Sequence, residues 1–214
     1  MRPYAFLALI PLLGLSLLTG CGSLLAPQAA PLTYRLAPEN SSPLSASKAQ
    51  TSFPYTLQVA MPRSAAGFET SSIAYRQQPY RLDYYTQSRW VEQPAAMLGE
   101  RMTQALEQSG VYRVVLAPGA ALPSDLRLSS ELVALEQVFA EGGDSHVRFV
   151  LRMQLIDTHS VKVLATSQLD LTQPSPSADA IGAVTAANQA LRDALPKVVQ
   201  FCIESTPKEL GDHR

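Results

Sequence analysis

The chain is poor in the residues that carry most protein chemistry. Its 214 residues include two cysteines, three histidines and one tryptophan. The cysteines, Cys21 and Cys202, have no metal-type neighbour at short spacing. His146, His159 and His213 fall at a strand start, in a turn and in the tail, so they have no common site. No Gly-x-Ser-x-Gly elbow occurs, which removes the signature of a serine hydrolase. No glycine-rich phosphate loop occurs either; Gly142-Gly143 reads as a hairpin turn. Charge is sparse and balanced: 17 basic and 18 acidic side chains leave a net −1. That balance offers no electrostatic footprint for nucleic acid. The expectation is a protein that is not an enzyme and uses no cofactor and no metal.

Long apolar runs are missing too. Ala5 to Leu18 is apolar but broken by Pro11, Gly14 and Ser16, short of the roughly 20 residues a spanning helix needs. With Arg2 before it, the run reads as a cleavable signal over residues 1–20. Leu18-Thr19-Gly20-Cys21 closes it with small residues before a cysteine, a pattern that resembles a lipobox. The mature chain then begins at Cys21, acylated, with residues 21–32 as lipidated N-terminus and tether. Several acyl chains, each worth about 0.8 kcal/mol per buried CH₂, make a stable anchor. Gly22 rather than Asp after the cysteine favours outer-membrane sorting, with the domain facing the periplasm. Lipidation of Cys21 leaves Cys202 a free thiol, read as a small packed hydrophobe on the last helix.

Periodicity supplies the fold. Thr33–Leu36 is a first strand, and Pro38 to Ser52 a loop rich in Ser, Ala and Pro. Tyr55, Leu57, Val59 and Met61 alternate along a half-buried strand that Pro62 stops. Ser72–Arg76 and Tyr80–Tyr85 form a hairpin. Pro94 suits the first position of an amphipathic helix that Gly110 ends. A buried strand over 111–116 follows. Asp125–Phe139 places Leu126, Leu128, Ser130, Leu132 and Ala134 on one face. Val147 to Leu155 alternates likewise, as do Val161, Val163, Ala165, Leu169 and Leu171. Short turns join these three strands into an antiparallel meander. Ser177 is placed to cap a final helix, which Pro196 should kink or interrupt. The fold class expected is α+β: an antiparallel sheet meander with two helices packed on one face. The domain should span 33–204, with 205–214 a flexible tail.

Taken in order, the lipobox, Tyr34-Arg35-Leu36, Ile73-Ala74-Tyr75-Arg76, Tyr84, Trp90-Val91-Glu92-Gln93-Pro94, the meander and the Ala-rich helix containing Ala183 to Leu195 resemble one family. It is the ABC-type transport auxiliary lipoprotein family (the PqiC/YmbA-like lipoproteins). The resemblance implies a non-catalytic lipoprotein partner of an MCE-domain protein. Such envelope systems move lipids or other hydrophobic molecules between the inner and outer membranes. It also leaves room for a ring-like homo-oligomer. No catalytic residue comes with it.

Tyr75, Arg76 and Trp90 are the candidate partner-binding residues, because Tyr, Trp and Arg are favoured at interface hot spots. Packing competes with that role, most of all for Trp90 at the start of a helix. Tyr80, Tyr84 and Tyr85 could line an apolar groove or sit half-buried as ordinary strand aromatics. Two other functions fit the same address: a periplasmic lipid-binding carrier and an outer-membrane assembly lipoprotein.

Overall fold

A computed structural model describes residues 30–37 and 52–210. Cys21, Gly22, the signal segment and His213 lie outside the described residues. In chain order the elements are β1 (Leu32–Tyr34), β2 (Phe53–Val59), β3 (Arg63–Ser64), β4 (Ser72–Gln78), β5 (Arg81–Trp90), α1 (Pro94–Ser109), β6 (Tyr112–Leu116), β7 (Leu126–Phe139), β8 (Ser145–Asp157), β9 (Lys162–Pro174) and α2 (Ala180–Ser205).

β7 organises the sheet. One of its edges pairs antiparallel along the strand with β8, which pairs antiparallel with β9. The other edge is shared in succession by β2, β3 and β4, all parallel to it. β6 extends the sheet beside β2, and β5 then β1 extend it beside β4. The meander expected from the turns is therefore β7–β8–β9, and the whole is a mixed sheet in an α+β fold. The parallel pairings left no trace in the turns, because parallel strands are joined by long crossovers rather than by a local reversal.

Two bulges change which side chains face the core. The β7–β8 register shifts between Leu132 and Ala134. Beyond it Leu135 and Gln137 turn inward and Glu136 outward, the reverse of the parity set by Leu126 to Leu132. The β8–β9 register shifts at Leu164, so that Ile156 pairs with Val163 and Leu155 with Ala165. Val161 and Val163, expected on the core face, are exposed instead. Met61, also expected inside, lies beyond the end of β2 and is exposed.

Both helices share one apolar core with the inner sheet face, where Leu57, Phe149, Leu151, Met153 and Leu155 are buried. Ala183, Ala186, Ala187, Ala190 and Ala194 give α2 a narrow buried stripe, which lets the helix approach the sheet closely. α1 starts with Pro94 in its first turn and stops at Gly110, whose φ of 63° is left-handed. The cap of α2 is Asp179 rather than Ser177: its carboxylate accepts from Gly182 N at 2.8 Å, while Ser177 Oγ donates to it at 2.6 Å. These bonds, the serine's first, hold the Asp179 carboxyl below its usual range. Pro196 does not interrupt α2. Pro196 and Arg192 both lie on the exposed side, so the carbonyl that loses its helical partner is near water. The segment after α2 is pinned as far as Leu210: Tyr55 Oη donates to Lys208 O at 3.0 Å and accepts from Leu210 N at 2.9 Å.

Candidate functional site

The sheet face opposite the helices carries the arrangement with the most polar organisation. β4 contributes Arg76, β7 Glu136, β8 Arg148 and β9 Asp170. Strand pairing sets Glu136 opposite Ala74 on one side and Arg148 on the other. The Arg76 guanidinium donates through Nε and Nη2 to the two Glu136 carboxylate oxygens, both at 3.3 Å. Arg148 holds Asp170 the same way, at 3.2 and 2.7 Å. That hydrogen bond keeps the Asp170 carboxyl below its usual range and the Arg148 guanidinium above its own. Charges of alternating sign thus cross four strands, and Glu136 is only 7% exposed. A second pair, Arg152 to Glu131 at 3.0 Å, links β8 and β7 further along.

Beside this ladder lies a groove of about 520 Å³. Phe68, Leu82 and Val133 form its apolar side, and Arg76, Glu136 and Arg148 its polar side. Arg76 also lines a neighbouring groove of about 330 Å³ with Val138 and Phe139. Tyr80 stands at the tip of the β4–β5 hairpin, fully exposed and with a φ of 64°. The face therefore offers paired charge, shallow apolar hollows and a projecting aromatic ring. Such a surface can recognise a partner. Its charged groups are already tied to one another and form no nucleophile–base pair.

The structure separates the three candidate contact residues. Arg76 is on the open face, half-exposed. Tyr75 points the other way, its ring 4.8 Å from Tyr85 and 5.9 Å from Phe139. Trp90 is buried in the core and presents no surface. That burial agrees with packing rather than with a surface contact. Tyr80, Tyr84 and Tyr85 do not line one groove. Tyr84 donates to Gly67 O at 3.0 Å, and Tyr85 faces the helix side, where burial, then Asp179 and Tyr75, push its hydroxyl up to about 12.

Glu136 and Arg148 were not singled out by sequence reasoning. Glu136 falls on the inward parity of Leu126 to Leu132, and only the bulge turns it outward. The adjacent apolar pair Ala134-Leu135 breaks the alternation and was the available signal. Cys202 is buried on α2, where desolvation raises its thiol to about 12. Among the described residues no helix is long and apolar enough to cross a membrane.

Comparison with known proteins places this architecture. A solved structure of protein XCC0632 from Xanthomonas campestris has a TM-score of 0.67 at 22% identity, covering 83% of this chain and 93% of its own. Another, described as an uncharacterized protein, has a TM-score of 0.60 at 11% identity, covering 81% and 99%. At these identities the likeness is one of fold. No curated protein matches the chain. A family model does match residues 34–198, described as an ABC-type transport auxiliary lipoprotein component.

Proposed function

The chain belongs to the ABC-type transport auxiliary lipoprotein family, and on that premise we propose that it is a non-catalytic docking lipoprotein of an envelope transport system. Cys21 carries the acyl chains. The anchor lies in the outer membrane, with the domain facing the periplasm. The partner is an MCE-domain protein, and the system moves lipids or other hydrophobic molecules between the two membranes. The domain docks as one copy or as a homo-oligomer.

The observation that carries this reading is the family match over nearly the whole sandwich, from β1 to within α2. The open sheet face supports it as the docking surface. Arg76 is the sequence-level candidate that remains available there, and it sits between two hollows. Arginine in such a setting combines hydrogen bonding with apolar contact, as interface hot spots do.

Replacing Cys21 with Ala tests the tether. The variant is expected to fold normally, leave the membrane fraction and lose transport. A Cys21→Ala protein that remained membrane-bound and active would overturn the anchoring role.

A further inference from the structure

A rim of the domain distinct from the docking face is exposed, apolar and unexplained by the fold. The β6–β7 connection opens with Ala117-Pro118-Gly119-Ala120-Ala121-Leu122-Pro123, seven residues without one charged or hydrogen-bonding side chain, and closes with Ser124-Asp125. Leu122 in it is 63% exposed. The β8–β9 turn lies against this loop. Thr158 N donates to Asp125 O at 3.1 Å, and Thr158 Oγ1 donates to the carbonyls of Ser124 and Asp125. His159 Nε2 is 3.3 Å from Asp125 Oδ1.

The turn holds its own apolar residue outward. The buried Asp157 carboxylate accepts from His159 N, Ser160 N and Ser160 Oγ. Val161 follows with a φ of 54°. A β-branched residue is a genuine outlier in that region, yet here its side chain is 81% exposed. The bulge at Leu164 adds Val163, at the start of β9, to the exposed set, so Val163 adjoins the loop and turn that carry Leu122 and Val161.

Cations surround the rim. Lys162 follows Val161, and Arg127 pairs with Ile156 at the adjoining end of β7; both are exposed. Arg113 donates to Thr56 Oγ1 at 3.4 Å, and Thr56 N donates to Asp125 Oδ2 at 2.7 Å. The two carboxylates nearby, Asp125 and Asp157, are both engaged with the backbone and side chains of the rim itself.

We infer that this rim is a membrane-contact element, lying in the headgroup region of an anionic bilayer. Seven successive residues with no polar side chain, 117–123, offer a protein partner little pattern to read, whereas a lipid interface needs none. Apolar side chains ringed by Lys and Arg match acyl chains below and anionic headgroups above. The inference rests on the anchoring of Cys21. Leu32 lies eleven positions after Cys21, and such a segment spans at most roughly 40 Å when fully extended. The tether therefore keeps the domain near a bilayer, and the rim orients it there.

The test uses the acylated full chain with Leu122→Cys or, on the β4–β5 hairpin, Tyr80→Cys. Acylated Cys21 and buried Cys202 leave the introduced thiol as the one to carry an environment-sensitive fluorophore. The proteins are mixed with vesicles of phosphatidylethanolamine and phosphatidylglycerol, with and without nitroxide-labelled lipid. Flotation reports the acyl anchor separately. The inference predicts blue-shifted, nitroxide-quenched emission at position 122 and water-like emission at position 80. Adding Val161→Asp should reduce the quenching at 122 without changing flotation. Water-like emission at 122 on vesicles overturns the inference whether or not the protein floats. Protection of 122 that rises with protein concentration and is indifferent to lipid overturns it too, and assigns the rim to a second copy.

Discussion

The Tyr85 hydroxyl donates to Gln137 Oε1 at 2.6 Å, joining β5 to β7 beneath the start of α2. Gln137 is 1% exposed, and its amide nitrogen donates to Ser145 Oγ at 2.9 Å and Ser177 O at 3.1 Å. One side chain thus satisfies partners on three other segments. Gln137→Leu would keep the volume and strand all three. The expected loss is about 2–3 kcal/mol, read as a lower denaturant midpoint at unchanged slope. A change within a few tenths of a kcal/mol would mean the network does not hold the α2 entry.

Gly182 reverses an ordinary rule. Alanine in place of a helical glycine usually stabilises by about 1 kcal/mol. At Gly182 an added Cβ would sit 1.9 Å from Ser177 O, the same carbonyl that accepts from Gln137. Gly182→Ala is expected to destabilise, by roughly 2–3 kcal/mol as overpacking does. Thermal unfolding checks the sign, and a raised midpoint would contradict the packing described for the loop before α2.

Alkali should weaken the domain before it weakens an average one. Burial raises Cys202 and Tyr85 to about 12, and raises Tyr112 as well. A group whose folded value lies above its unfolded one favours the native state in its protonated form. That contribution is fully present below the unfolded values, about 8.5 for Cys and 10 for Tyr. It is lost as pH rises from there through about 12. Stability measured by denaturant titration should be flat from neutral pH to about 8.5 and then fall. In the native Cys21→Ala protein, Cys202 should resist a thiol reagent until denaturant is added.

The fold's outline was legible from alternation and turns. Pro94 and Gly110 marked both ends of α1, and the three long strands declared their hairpins. The errors of parity share a cause. Periodicity carries a fixed parity, and the bulges after Leu132 and at Leu164 each reset it by one residue. That hid Glu136 as an outward carboxylate and Val163 as a surface residue, while Val161 falls in the turn before β9. The cap moved from Ser177 to Asp179 because two cap-type residues two positions apart compete and only geometry picks one. Of the candidate contacts, Arg76 could be read as a surface cation. For Trp90 the place before a helix already favoured packing over contact, but the core it joins is set by long-range packing that no local pattern encodes.

The open face as docking surface rests on Arg76 and its neighbours, and site-specific capture tests it most directly. A photoreactive residue in place of Tyr80, beside Arg76 and exposed, is compared with one in place of exposed Ile181 at the start of α2. Both are made in the acylated full chain, in cells, and the crosslinked products are identified. The account predicts an MCE-domain protein crosslinked at 80, not at 181, and lost when Arg76→Glu is added to a chain that still folds. Crosslinking of that protein at 181 alone, or at neither position while the lipoprotein is folded and anchored, would contradict it.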